Sequence, residues 1–172
     1  MTNAIEDYVK EEPQFDDITM LCVHYTGKKE DKKVKSLKEI TLEATISNID
    51  VVTDFVNGEL EALDCSMKAE MQIDVAIDEL FGNIAKYAYD PKIGSATVRI
   101  EVQEEPLAVV ITFIDNGRPF DPLKEIEEPD ITLSAEERQI GGLGVFLVKK
   151  TMDEVTYEYK DGMNILKIVK NI

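Results

Sequence analysis

Glu79, Asn83, Lys86 and Asp90 stand at i, i+4, i+7 and i+11, the spacing that aligns side chains in one stripe along a helix. Ile73, Ala76, Ile77, Leu80, Phe81 and Ile84 fill the opposite side. A polar stripe of this kind has two readings. On a solvated surface it is only a helix face in water. Lining a cleft, the carboxylate could accept a proton, the amide oxygen could bind Mg²⁺ and the ammonium could neutralise phosphate. A second cluster, Asp115-Asn116-Gly117-Arg118-Pro119-Phe120-Asp121, ends a strongly apolar run. Asp beside Gly and Pro is most often a turn. At the end of a buried strand, however, Asp115 would sit on the floor of any cavity the sheet supports. There it would accept a hydrogen bond from an exocyclic amine such as that of adenine, and Gly117 would let backbone approach a flat base. The third cluster is Gly142-Leu143-Gly144, at a helix start, where exposed N–H groups and the positive end of the dipole make a seat for phosphate. It is neither a Walker A loop, which needs Gly-Lys-Ser/Thr, nor a Rossmann turn, which needs a strand leading directly in.

The elements that must hold these residues follow from periodicity. A strand is expected near residues 36–44, where Ile40, Leu42 and Ala44 alternate with Thr41 and Glu43. Ser47 or Asn48 can cap a helix whose face is Ile49, Val52, Phe55, Val56 and Leu60. A longer helix covers about residues 66–89. Two strands follow, at 97–103 and 107–115. In the first, Val98, Ile100 and Val102 alternate with Arg99, Glu101 and Gln103, the pattern of a sheet with one wet face. The second, Ala108 to Ile114, is apolar on both faces and belongs at the sheet centre. Residues 116–141 carry Pro119, Pro122, Pro129 and many acids with little periodicity, long for an idle loop and therefore a candidate lid. A helix from Gly141 to about Met152 and two strands, 154–160 and 163–170, turned by Asp161-Gly162, complete the chain. The fold class expected is α+β, a two-layer sandwich with helices on one face of a mixed, mainly antiparallel sheet.

The 172 residues include 19 Lys and Arg against 35 Asp and Glu, a net charge of −16. A general nucleic-acid binder needs a basic surface to displace counterions, so this balance argues against nucleic acid as partner. Hydrophobic residues make up 44%, enough for a real core. No apolar run reaches the roughly 20 residues of a membrane span, and the first residues lack a signal peptide's basic flank and apolar stretch. Cys22 and Cys65 then read as reduced thiols. The chain is expected to be soluble, acidic and cytoplasmic, with no membrane partner. The charged run Lys28 to Lys35 reads as a linker (residues 28–35) between an N-terminal piece, 1–27, and a main body, 36–172. The piece offers a short helix with Ile5, Tyr8 and Val9, a breaker at Pro13 and a strand from Ile18 to Tyr25, too little to bury a core alone.

The three clusters in this order carry a resemblance. Asp78-Glu79-Leu80-Phe81-Gly82-Asn83-Ile84-Ala85-Lys86-Tyr87-Ala88-Tyr89 resembles the N box of the GHKL ATPases, the superfamily of gyrase, a heat-shock chaperone, histidine kinases and mismatch-repair ATPases. Asp115-x-Gly117-x-x-Phe120 is similar to its first glycine box and Gly142-x-Gly144 to its second. Glu136-Glu137-Arg138-Gln139-Ile140-Gly141-Gly142-Leu143-Gly144 and Met152-Asp153-Glu154-Val155 resemble the branch of anti-sigma-factor serine kinases. The resemblance, over residues 36–172, implies the GHKL (Bergerat) ATP-binding fold with ATP and Mg²⁺. It implies Glu79 as acceptor of the seryl proton and Asn83 as Mg²⁺ ligand. Lys86 and the Gly142 and Gly144 amides would face the phosphates, and Asp115, Gly117 and Phe120 the base. Asn164 stands where many relatives place a Thr that supports the adenine-binding Asp, Tyr87 where this branch often has His, and Gly82 where a larger residue is common. Arg138 has two readings, a γ-phosphate contact or a surface salt bridge. The implied partners are an antagonist protein of small α/β fold as substrate, a sigma factor, and a second copy, since relatives often dimerise through the sheet side. Two other functions are open: a nucleotide-gated module that sequesters a sigma factor or regulates an attached phosphatase, and a mechanical ATPase switch of the gyrase type, which relies on an appended transducer. The N-terminal Gln14-Phe15-Asp16-Asp17-Ile18-Thr19-Met20-Leu21 resembles the last motif of metal-dependent serine/threonine phosphatases, with Asp16 matching a metal ligand. Residues 1–27 would then be the C-terminal tail of such a domain and the chain a piece of a larger protein. His24 lies in that tail with no helical context of a phospho-acceptor, which argues against a histidine kinase.

Overall fold

The computed structural model describes residues 34–124 and 143–172. Asp16, Cys22 and His24 of the N-terminal piece, and Arg138, Gly142 and the stretch 125–141 of the expected lid, lie outside the described residues.

Strand β1 (Val34–Glu43) is followed by a 3-10 turn (Ile46–Asn48), helix α1 (Ile49–Glu61) and helix α2 (Met67–Asn83), which continues as a π-helical turn over Ile84–Ala88. Then come β2 (Ser95–Glu104), β3 (Leu107–Asp115), α3 (Leu143–Thr151), β4 (Glu154–Lys160) and β5 (Met163–Asn171). The five strands form one sheet in the order β1-β2-β3-β5-β4. All four ladders are antiparallel, so the sheet expected to be mainly antiparallel is so at every pairing among the described residues. Hairpins join β2 to β3 and β4 to β5, and among the described strands only the step from β3 to β4, past β5, crosses over.

β3 takes the central place in the order, and its run is apolar on both faces. Val109, Ile111 and Phe113 join the main core, while Ala108 and Val110 form a second, smaller cluster with Val169 on the other side of the sheet. In β2, Val98, Ile100 and Val102 are buried and Arg99, on the wet face, pairs with Glu39 of β1 at 3.1 Å. The helices lie on the main-core face: Val52, Val56 and Leu60 of α1, Ile73, Ala76, Ile77, Leu80 and Phe81 of α2, and Val145 and Val148 of α3 belong to the same cluster. Burying each large apolar side chain contributes roughly 1.5–3 kcal/mol, so this interface holds the two layers together.

Two helix ends differ from expectation. Asn48 occupies the N-cap of α1, but its side chain makes no capping bond; Nδ2 donates to the Glu43 carbonyl at 2.8 Å instead. The preceding 3-10 turn already places Asn48 in a helical conformation (φ −95, ψ 0), whereas a capping side chain needs an extended one. Ser66 meets that condition for α2 (φ −67, ψ 140), and its Oγ accepts from the Ala69 N–H at 3.3 Å. The helix expected to run to residue 89 is α-helical only to Asn83. The π-turn that follows carries more residues per turn, so Glu79, Asn83, Lys86 and Asp90 do not form one continuous stripe. No helix among the described residues is long and apolar enough to cross a membrane.

Candidate functional site

A pocket opens where the last turn of α2 and its π-turn meet the ends of β3 and β5. Leu80, Ile84 and Leu166 supply apolar floor; Tyr87, Phe120, Pro122 and Tyr157 supply walls. Asn83, Asp115, Arg118 and Asn164 are its polar members. The hydrophobic period of α2 and the alternation of β3 deliver this arrangement directly. Leu80 faces the sheet, so Asn83 and Ile84 one turn later reach the same edge, and Asp115 follows Val109, Ile111 and Phe113 onto the core face.

Asp115 is 4% exposed. β3 pairs with β5 so that Asp115 and Asn164 are cross-strand neighbours. Asn164 Nδ2 donates to Asp115 Oδ1 at 2.9 Å, and the Gly117 N–H donates to the same oxygen at 2.8 Å. Oδ2 accepts no hydrogen bond among the described residues, which leaves one free acceptor on a group that lines the pocket. Burial raises the Asp115 pKa above the ordinary 3.8; the bonds from Asn164 and Gly117, which favour the charged form, offset this in part.

Asn164 is buried, and all four of its hydrogen-bonding capacities are used. Besides Asp115, Nδ2 donates to the Arg118 carbonyl at 3.1 Å. Oδ1 accepts from the Tyr157 hydroxyl at 2.7 Å and from the Phe120 N–H at 3.2 Å. The contact expected from a Thr at this position is thus made by an amide, which also grips the loop carrying Phe120.

Gly117 is not in the pocket lining. The backbone it approaches is that of the π-turn: a Cβ there would lie 2.5 Å from the Ala88 carbonyl oxygen and 2.6 Å from Ala88 Cβ. The neighbouring Arg118 N–H donates to that same carbonyl at 2.9 Å. Tyr89 adds a second tie, its hydroxyl donating to the Ser95 carbonyl at 2.6 Å and accepting from the Asn116 N–H at 2.8 Å. Burial raises the Tyr89 pKa, in keeping with a hydroxyl that stays protonated to donate.

Glu79 lies outside this lining, one turn of α2 before Asn83. Its carboxylate rests on Gly144, at the first turn of α3, so closely that any side chain at Gly144 would overlap it. A carboxylate is favoured beside the positive end of a helix. Lys86 is exposed and does not line the pocket, because the π-turn rotates it off the line of Glu79 and Asn83. Lys149 of α3 donates to the Leu123 carbonyl at 2.8 Å and so holds the segment that leaves the pocket at Pro122.

The structure therefore brings Asn83, Asp115, Phe120 and Asn164 around one pocket and Glu79 onto Gly144. It sets Lys86 and Gly117 outside the lining, and Gly142 lies outside the described residues. Sequence reasoning missed Tyr157, which lines the pocket from β4. The only local signal was its place in the alternation Val155, Tyr157, Tyr159, which says which face it shares and nothing of what it meets there.

The residues present would fit an ion such as Mg²⁺ that takes few protein ligands and fills its other positions with water or phosphate. Asn83 supplies a single neutral oxygen, and no group of three or more His, Cys, Asp or Glu among the described residues could cage a metal.

Residues 42–170 match the histidine kinase-like ATPase domain family. The chain is 33% identical over 105 residues to the serine-protein kinase RsbW of Listeria monocytogenes serovar 1/2a, covering 59% of this chain and 66% of that relative. It is 33% identical over 95 residues to the serine-protein kinase RsbW of Bacillus cereus, covering 54% of this chain and 58% of the relative. It is 26% identical over 106 residues to the serine/threonine-protein kinase BtrW of Bordetella bronchiseptica, covering 62% and 73%. The chain thus spans just under two thirds of the length of the Listeria relative it matches.

Proposed function

The chain belongs to the histidine kinase-like ATPase domain family, and from that footing we propose that it is an ATP-dependent serine/threonine protein kinase of the anti-sigma-factor type. Its substrate is a regulatory antagonist protein, with a sigma factor as second partner and a homodimer as working form. The observation that carries the reading is one grouping of residues: Asp115 with a free carboxylate oxygen in a mainly apolar pocket, Asn83 in the same lining, and Glu79 one helical turn before Asn83, against Gly144. Residues 36–172 form the kinase-like domain in this reading. Residues 1–27, on the motif Gln14 to Leu21 alone, are the tail of a phosphatase domain, joined through a linker that starts at 28 and stops short of the expected 35, since Val34 and Lys35 already belong to β1.

The residues divide the work. Asp115 Oδ2 accepts from the adenine amine, and Leu80, Ile84, Phe120 and Leu166 exclude water from the base. The Gly142 and Gly144 amides offset phosphate charge, and the Lys86 ammonium, which lies outside the base pocket, does so only where the phosphates extend beyond it. Bound Mg²⁺ would neutralise the phosphates further, with the Asn83 oxygen as its protein ligand. Glu79 takes the seryl proton while the seryl oxygen bonds to the γ-phosphorus. The bond from that phosphorus to the β,γ-bridging oxygen breaks, and ADP leaves. Positioning and charge stabilisation are what phosphoryl transfer chiefly asks of a protein.

Glu79 and Asn83 should fail differently. Glu79→Ala is expected to bind Mg·ATP within about threefold of wild type while losing 10²–10⁴-fold in transfer rate, the usual scale for a general base. Asn83→Ala is expected to lose affinity as well, and its remaining affinity should be nearly insensitive to Mg²⁺. Calorimetry and single-turnover transfer of labelled phosphate from ATP to the cognate antagonist protein separate the two. Wild-type transfer by Glu79→Ala would overturn the kinase mechanism.

A further inference from the structure

Asn164 makes demands that a Thr would not. Its amide is buried, and a buried polar atom without a partner is costly. Both donors and both acceptor directions are engaged, by Asp115 and Arg118 on one side and by Tyr157 and Phe120 on the other. Turning the amide over would set its oxygen against the Asp115 carboxylate and the Arg118 carbonyl, two acceptors, and its NH₂ against the Phe120 N–H, another donor. Among the groups on the oxygen's side, Tyr157 makes the shorter bond, 2.7 Å against 3.2 Å from Phe120. Tyr157 comes from β4, which among the described residues pairs only with β5 and ends the sheet on that side.

We propose that Tyr157 is a positioning residue for base recognition. Its hydroxyl fixes the amide of Asn164, and that amide holds Asp115 and the Arg118–Phe120 backbone in the arrangement that reads the base. The proposal rests on the reading of this pocket as an adenine site and adds to it a residue outside all three sequence clusters. Asp115 Oδ1 is committed to Asn164 and Gly117, so recognition falls to Oδ2, and the direction of Oδ2 is set by how firmly Oδ1 is held. The same amide clamps Phe120, a wall of the pocket. Losing the Tyr157 hydroxyl loosens the acceptor and the wall together.

Tyr157→Phe keeps the ring and deletes the donor. ADP and its analogue lacking the exocyclic amine, purine riboside diphosphate, are the probes, with binding read by calorimetry. Tyr157→Phe is expected to weaken ADP roughly three- to tenfold, the scale of one hydrogen bond, and to weaken the analogue, which feels only the loosened wall, by less, so that the preference for the amine falls. Without nucleotide, exchange of the Phe120 amide proton should quicken. In an Asn164→Thr background, where no amide oxygen needs holding, Tyr157→Phe should change neither readout. A purely structural role predicts instead a lower melting temperature with the preference intact. The proposal is overturned if Tyr157→Phe keeps the wild-type preference, or if it acts equally with Asn or Thr at 164. Wild-type protein that does not prefer ADP to the analogue overturns both this proposal and the adenine reading, whereas an unchanged preference in Tyr157→Phe overturns this one alone.

Discussion

Asp115 combines a residue type that wants water with a position that denies it. Desolvation raises its pKa, and the Asn164 and Gly117 bonds recover only part of the cost. The sign of the pH effect follows. The folded protein keeps the Asp115 proton to higher pH than the unfolded chain, whose carboxyl titrates near 3.8. Above the folded pKa the buried charge costs stability in full. As pH falls through the folded pKa towards the unfolded value the cost shrinks, and below both it is gone. Asp115→Asn removes this titration. Wild-type stability measured against Asp115→Asn should therefore improve as pH falls from neutral towards the unfolded value of 3.8 and level off below it. Urea unfolding of both proteins across that range checks it; a difference that is flat, or that grows in favour of the variant on acidification, would mean the carboxylate is not desolvated.

At the scale of elements, the π-turn at Ile84–Ala88 is the joint on which the site is assembled. It frees the Ala88 carbonyl for the Arg118 N–H and turns Tyr87 towards the pocket while Lys86 faces solvent. π-turns inside helices are rare and often mark functional positions. The loop after β3 can close on this joint only because residue 117 has no side chain. The requirement is space, since what a Cβ would meet is Ala88 backbone, at 2.5 Å, which cannot swing aside as a side-chain tip can. Gly117→Ala is expected to cost about 1–3 kcal/mol, the range for overpacking. It should also weaken ADP binding, because displacing the loop withdraws the Gly117 N–H from Asp115. Chemical denaturation with calorimetry on the folded fraction tests both; a variant of wild-type stability would show that the loop does not need this approach.

Across the whole molecule, the pocket draws on both layers: Leu80 and Asn83 from α2, Asp115 from β3, Tyr157 from β4, Asn164 and Leu166 from β5. A ligand seated there touches residues far apart in sequence and is bound only while the two layers are joined. Unfolding must release it, so free ADP with Mg²⁺ at one hundred times its dissociation constant should stabilise the protein by about 2.7 kcal/mol. The midpoint of denaturant unfolding should move accordingly, with an unchanged slope. Asp115→Asn at the same nucleotide concentrations should gain less. A midpoint indifferent to ADP would remove nucleotide binding from the account.

The elements themselves were legible before any coordinates because their signals are local. Alternation of Val98, Ile100 and Val102 with Arg99, Glu101 and Gln103 follows from side chains pointing to opposite faces of a strand, and the Ile73–Phe81 face from 3.6 residues per turn. Apolar residues on both faces marked β3 as central, because only a strand covered on both sides can hide them. Asp115 and Asn83 could be singled out from their motifs for the same reason: each motif is a few residues long. What spacing along the chain does not encode is register and helix phase. Asp115 and Asn164 are 49 residues apart and meet because β3 and β5 pair in one register, a choice made by the whole apolar face at once, since a slip of one residue would turn every side chain to the other side. Tyr157 reaches Asn164 through a second such register, between β4 and β5. Likewise the placing of Glu79 on Gly144, and of Lys86 away from the pocket, depended on how α2 packs against α3 and on the π-turn at its end. Those positions are fixed by the sum of many contacts between distant segments, and no single stretch of sequence contains them.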